Sequence, residues 1–309
     1  MLNDLMVVAG SVLTLFFMMA VGYILGKRGF FTKQTLSQLS SLLLYIVAPA
    51  IMIDTFLAQE ANAETLRLLL AAAAALIVTY VLNAVLIQFC FRRSGPEDRG
   101  VLRFAAIYGN TGFMGIPLIQ AVLGNDGMIT AVVCCAVFNV FIWTHGCRIM
   151  GVSSSWKKAL VNPGTVGLAL ALAFFFLPAE LPSPLTSAIS FVGSLNTPLA
   201  MIVIGAQMAD VDLGSIFREG RLYVLSAVKL ILVPLITMLV LVPFHLESNI
   251  YVGTAILAAC PVAGASSLFC QLGGRDTSLS ARLVTLTTLF SIVTLPLMGT
   301  LARTLYRLV

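Results

Sequence analysis

Charge is scarce in this sequence. Asp, Glu, Lys and Arg together make up 10% of the 309 residues, against 59% hydrophobic. A water-soluble domain carries roughly 25% charged residues. A chain this poor in charge cannot cover a water-facing surface, so the lipid bilayer must be its main solvent. Histidine is nearly absent as well, with only His145 and His245. The six cysteines, Cys90, Cys134, Cys135, Cys147, Cys260 and Cys270, show no CxxC and no metal spacing. No metal centre, cofactor or disulfide framework is therefore expected, and thiols inside apolar runs read as small core residues. HExxH, GxSxG and GxxxxGK[ST] are missing, and an intramembrane hydrolase would need a nucleophile with a base, whereas the two histidines are peripheral, so no enzyme is expected. The net charge of +5 does not point to nucleic acid. Its basic residues fall in short groups between apolar runs, which is the pattern of cytoplasmic loops.

Long apolar runs are what the chain has. A span needs about 20 mostly apolar residues, and ten candidates follow one another: Met6–Leu25, Leu39–Leu57, Leu66–Phe89, Val101–Leu123, Met128–Cys147, Val161–Leu177, Ala188–Ala209, Tyr223–Leu241, Ile250–Leu272 and Leu283–Ala302. The first lacks a basic n-region and is preceded by Asp4, so it reads as a retained span rather than a cleaved signal. Lys and Arg set the orientation. With the N-terminus outside, fourteen of the eighteen basic residues fall on the cytoplasmic side, leaving Arg67, Arg303 and Arg307 outside and Lys229 within a span. Both termini are thus expected outside a multi-pass protein of the cell's inner (plasma) membrane.

The longest connection, Arg148–Leu160, divides the chain into residues 1–150 and 151–309, with five spans each. An odd number of spans per half starts the second half on the opposite face, so homologous halves must be inverted repeats. That symmetry demands matching oddities in the fourth and ninth spans, and both have them. The fourth carries Asn110, Thr111, Gly112, Gly115 and Pro117 at mid-span, and the ninth carries Pro261, Gly264, Ser266 and Ser267. Proline and glycine weaken a helix interior. Unwound backbone at membrane depth survives only inside protein or beside a wet cavity. Matched breaks in the two halves are the sequence pointer to a transport site, and restarting helix N-termini suit an anion.

At these residues the sequence resembles the auxin efflux carrier family, which includes bacterial organic-acid permeases. The resemblance rests on Gly109–Leu118, on Ala48-Pro49, Asn162-Pro163 and Thr294-Leu-Pro296, and on Ala259–Gly264. It implies an all-helical membrane protein of ten spans in two inverted five-helix repeats, similar in arrangement to cation–proton antiporters and bile-acid symporters. Spans one, two, six and seven would form a scaffold that dimerises. Spans three to five and eight to ten would form a moving transport domain. The implied activity is elevator-type carriage of a small organic anion, a mono- or dicarboxylate or an auxin-like acid. Alternatives within the fold are a sodium- or proton-coupled symporter for another solute, or a ligand sensor without flux. By the same resemblance Asn110 meets the substrate carboxylate, Asn139 faces the site from the fifth span, and Ala48 and Met52 line it; Thr111, next to Asn110, is a further substrate-binding candidate. Where plant members carry a second substrate asparagine at the sixth-span entrance, this chain has Gly164.

The remaining polar residues are read one by one. All thirteen acids fall in loops or near span ends, and the fifth span has none, which argues against carboxylate-coupled cation antiport. Asp54 reads as an outer helix end. Lys229 is a charge supporting the anion site, a charge carrier that moves with the transport domain, or a lysine that snorkels to the cytoplasmic face. Ser266 and Ser267 either cap the restarting half-helix or touch substrate. Asn83 reads as a helix-packing residue and His145 as an interfacial one. Asn196-Thr-Pro198 marks either a kink or ordinary packing.

Overall fold

The computed structural model describes residues 2–153, 161–176, 181–217 and 219–308. Three of the basic residues counted on the cytoplasmic side, Lys157, Lys158 and Arg218, and the sixth-span end Leu177 lie outside the described residues. Among those described, every regular element is helical, and the only extended pairing is an isolated bridge between Gly109 and Val262. This is the outcome expected in lipid, where each backbone amide must find its partner within its own segment.

The helices are α1 (Leu2–Lys27), α2 (Lys33–Leu57), α3 (Ala63–Ile87), α4 (Pro96–Ile107), α5 (Ile116–Leu123), α6 (Met128–Phe141), α7 (Pro163–Phe176), α8 (Ser183–Ser194), α9 (Asn196–Ala209), α10 (Gly220–Phe244), α11 (Ser248–Ala259), α12 (Ala265–Leu272) and α13 (Ser278–Leu308). Seven segments are long and apolar enough to cross a bilayer: Asp4–Lys27, Lys33–Leu57, Ala63–Ile87, Thr111–Met150, Ser183–Ala209, Gly220–Phe244 and Ser278–Leu308. Two shorter apolar helices, α7 and α11, join them. The 40-residue segment Thr111–Met150 is not one rod. It turns at Gly124–Gly127, and α5 and α6 pack against each other on either side of the turn. Gly124 takes φ +64°, which a residue with a Cβ adopts only under strain.

Helix starts use polar caps. Thr32 Oγ1 accepts from Thr35 N at 3.1 Å, and Asn62 Oδ1 accepts from Thr65 N at 2.9 Å. Asn162 Oδ1 accepts from the backbone N–H groups of Gly164 and Thr165 at the entrance to α7. The Asn196 motif coincides with a true interruption, since α8 ends at Ser194 and α9 begins at Asn196.

Two contacts organise the bundle. The first is the α1–α9 pair, held at backbone distance by glycine. A Cβ on Gly22 would lie 2.1 Å from Ile202 O, and one on Gly205 would lie 1.9 Å from Met19 O. Small residues allow such approach where no hydrophobic effect drives helices together. The second joins the chain's ends. Asp4 on α1 accepts from both terminal nitrogens of Arg307 on α13, each at 2.9 Å, and Arg303 lies 3.6 Å away. The two ends of the chain therefore lie on one face. A second ion cluster ties the starts of α4, α10 and α13 together: Arg221 pairs with Asp98 and Glu219, and Arg282 with Glu219 at 2.7 Å.

Candidate functional site

Proline shapes the helices around the site. Pro49, Pro117 and Pro234 each follow a wide π turn, at Leu43–Val47, Thr111–Gly115 and Val228–Leu232. A proline has no N–H and crowds the carbonyl one turn back, and widening the preceding turn relieves both. Unwinding goes furthest between α4 and α5 and between α11 and α12.

Those two breaks meet. Asn110 N donates to Pro261 O at 2.7 Å, and Ala263 N donates to Tyr108 O at 3.0 Å. Gly109 and Val262 thereby pair as a single antiparallel bridge. Val262 N donates to Thr287 Oγ1 on α13 at 3.1 Å. The broken helices thus satisfy each other's backbone, which makes irregular chain tolerable at this depth. Their C-terminal ends, at Tyr108 and Cys260, and their restarting N-termini converge on one crossing.

Asn110 is the hinge of the first restart. Its backbone O accepts from Met114 N and Gly115 N, and its Oδ1 accepts from Phe113 N at 3.3 Å. The residue is half-buried, and Thr111 beside it is buried. Gly112 has open space where a Cβ would sit, whereas Gly115 packs within 2.6 Å of Leu257 by the same measure. Pro117 and Pro261 are buried in the crossing, and Gly264 is exposed. Ser266 and Ser267 do not cap α12, which starts without a side-chain cap. Ser267 is instead 2.9 Å from Ser280 Oγ on α13, and Ser266 Oγ is buried with no partner among the described residues.

Asn139, Ala48 and Met52 gather at a second place, around the start of α7. Asn139 Nδ2 donates to Cys135 O at 2.7 Å, and a Cβ on Gly164 would lie 2.2 Å from that same nitrogen. Gly167, one turn further, packs on Met52 and Pro49, and its Cβ would be 2.9 Å from Met52 Sδ. Ala48 is half-buried and Met52 is buried. The Asn139 amide thus fills the room a side chain at 164 would take. Beside it an apolar cleft of about 400 Å³ opens between α3, α6 and α7, lined by Val137, Phe141 and Leu168 among others.

This arrangement carries a test. Gly164→Asn alone should push the Asn139 amide aside and lower substrate uptake several-fold. The double variant Asn139→Ala/Gly164→Asn, which moves the amide from α6 to α7, should recover much of the loss. Uptake by Gly164→Asn equal to that of the unaltered protein would show that the two positions do not share one space.

Lys229 does not snorkel. It is 1% exposed, and its Nζ donates to Ala258 O, in the last turn of α11, at 3.0 Å. A Cβ on Gly109 would sit 3.0 Å from the same Nζ, so glycine there makes room for the ammonium. Asn83 and Lys229 both line a small cavity beside Gly109, separate from the apolar cleft, which gives Asn83 a place at the crossing that spacing along the chain did not reveal. His145 has a partner as well. Its Nδ1 lies 3.0 Å from Tyr108 Oη, and Tyr108 Oη also donates to Phe141 O, so the pair ties the first break to the end of α6. Nothing in the sequence flags this pair, because the partners are 37 positions apart.

With the paired breaks in view, comparison with known proteins is direct. The profile of a family described as membrane transport protein matches residues 7–155 and 152–299. The chain belongs to this family. The match agrees with the resemblance to auxin efflux carriers, and the chain is a membrane transporter rather than an enzyme. Relatives of similar length support this. A Rhizobium meliloti protein named "Putative malonate transporter" is 26% identical, with 93% of each chain covered. An uncharacterized transporter of Methanocaldococcus jannaschii is 26% identical over 93% of this chain and 96% of that one. One from Methanothermobacter thermautotrophicus is 21% identical over the same shares.

Proposed function

We propose that this family member is an elevator-type carrier of a small organic anion, with malonate or a similar short carboxylate as the first candidate. The observation that carries the proposal is the pairing of the two broken helices around Asn110, with restarting N-termini at one crossing. Such N-termini favour an anion. The Asn110 amide nitrogen supplies a neutral donor for its carboxylate.

The architecture we propose has ten spans in two inverted five-helix repeats. The family profile matches the two halves separately, at 7–155 and 152–299, which supports a repeat dividing near residue 150. Chain ends on one face require an even number of crossings. Seven long segments become ten once Thr111–Met150 is divided at its turn with α4 as the first half of its leading span, α11 and α12 are joined, and α7 is counted. Spans one, two, six and seven would be the scaffold, two copies of which pair in the membrane, and spans three to five and eight to ten would move. The loop charges favour an inner membrane with both termini outside.

Uptake of labelled malonate into proteoliposomes tests the reading. The expected result is saturable, slow uptake with counterflow by unlabelled carboxylates. Binding without flux would make the protein a sensor and overturn the carrier, and flux of inorganic ions in place of carboxylates would do the same.

A further inference from the structure

A buried ammonium is unstable unless charge or dipoles answer it, since the effective cost of burying an isolated ion is several kcal/mol. Among the described residues, no Asp or Glu lines the cavity that holds Lys229. The oxygen that meets the nitrogen is neutral. Ala258 O accepts its proton at 3.0 Å. Asn83 Oδ1 and Thr254 Oγ1 are buried on the wall of the same cavity, with no hydrogen-bond partner among the described residues. The cavity beside the ammonium measures about 20 Å³, room for one water-sized group.

The location explains the stability. α4 ends at Tyr108 and α11 at Cys260, and Lys229 Nζ lies against both ends through Gly109 and Ala258. Each helix C-terminus carries roughly half a negative charge. Two together amount to about one, which a single ammonium balances. Half-helix C-termini and unwound carbonyls at a transporter crossing are where a coupling cation coordinates. Here a covalently attached cation occupies that place.

We propose that Lys229 is a built-in counter-ion: its ammonium, on Ala258 O and between the two helix ends, takes the place of a monovalent cation beside a cavity walled by Asn83 and Thr254, so the protein needs no alkali cation there. The consequence for coupling rests on the carrier reading, but the site itself does not. The fixed charge then rides with the crossing and offsets a substrate's negative charge.

The test removes the tether and offers free cations. The thermal transition of the purified protein should be the same in choline, sodium, lithium and methylammonium chlorides at equal ionic strength. Lys229→Ala should be destabilised in choline, and regain stability with sodium, lithium, ammonium or methylammonium but not with tetramethylammonium, which is too large. In proteoliposomes, malonate uptake by the unaltered protein should be indifferent to sodium, whereas Lys229→Ala should be slow in choline and accelerate several-fold with the same small cations. Lys229→Met keeps the shape without the charge, and it should be both less stable and inactive. The proposal falls if Lys229→Met matches the unaltered protein, if the unaltered protein requires sodium, or if no small cation stabilises folded Lys229→Ala more than choline does. Should Lys229→Ala fold in none of these salts, the Lys229→Met result decides. Absence of uptake by the unaltered protein would defeat the carrier reading and leave the thermal measurements to judge the site.

Discussion

Asn110→Asp should abolish malonate uptake while leaving the fold intact, and stability and function should part company at this one residue. The substitution is nearly isosteric. Aspartate is as good an N-cap as asparagine, and a carboxylate at a helix N-terminus gains from the dipole. The restart at Thr111–Gly115, whose cap is Asn110 Oδ1 on Phe113 N, should therefore form as before, with a thermal transition unchanged or raised. For an anionic substrate the change is severe. A donor becomes an acceptor, which removes a charge-assisted hydrogen bond of about 1.5–3 kcal/mol. Like charges then face each other, at about 4 kcal/mol for a 4 Å separation near a protein surface. Uptake should fall by at least ~100-fold. Asn110→Ala reverses the pattern in part. It loses a cap worth about 1 kcal/mol and the donor without adding repulsion, so uptake should fall by ~10-fold or more. The measurement is initial uptake of labelled malonate beside the thermal transition of each variant. If Asn110→Asp carries malonate as well as the unaltered protein, the substrate does not meet this residue.

The breaks were legible because their cause is local. Glycine and proline inside an apolar run disfavour helix wherever the run ends up, so Asn110–Pro117 and Pro261–Ser267 announce unwinding before any packing is known. Their pairing was legible only as a symmetry argument. The bridge between Gly109 and Val262 joins residues more than 150 positions apart, and no spacing rule reaches that far. Lys229 was conspicuous as a charge in a span, yet its destination was not fixed. A lysine stem two turns from a helix end can reach water, and what keeps it inside is the convergence of two helix ends from α4 and α11. The surroundings of Asn83 and His145 were hidden for the same reason. A polar residue within a span has a bland explanation in helix–helix hydrogen bonding, and only its tertiary neighbours say otherwise. Gly164 shows the reverse. Its departure from the family's asparagine looked like a lost ligand, whereas Asn139 on the neighbouring helix occupies that space.

Some glycines were invisible altogether, and they carry the second large effect. Glycine is frequent in membrane helices, so Gly10, Gly22 and Gly26 on α1 look alike in the sequence. In the fold they differ sharply. Nothing lies within 4 Å of a Cβ placed on Gly10, whereas one on Gly22 would overlap the Ile202 carbonyl at 2.1 Å, and one on Gly26 would meet the Ala209 methyl at 2.8 Å. The obstruction at Gly22 is backbone, which cannot rotate away, so α1 and α9 would have to separate along their length. Gly10→Ala should therefore be neutral or stabilising by up to about 1 kcal/mol, the ordinary helix preference for alanine. Gly22→Leu should cost about 3 kcal/mol or more, the upper range for forced overpacking. Gly205→Leu, from the other side of the contact, should cost as much, because its Cβ would lie 1.9 Å from Met19 O. The two losses should not add, because the first substitution already opens the interface the second would strain. Thermal transitions of the four proteins in one detergent, Gly10→Ala, Gly22→Leu, Gly205→Leu and the double variant, decide the matter. Equal tolerance of leucine at 22 and alanine at 10 would mean that α1 and α9 do not meet backbone to backbone. On the carrier reading this contact lies wholly within the scaffold, so a milder Gly26→Ala variant that still folds should lose stability before it loses turnover per folded molecule. A substitution at the crossing should do the opposite.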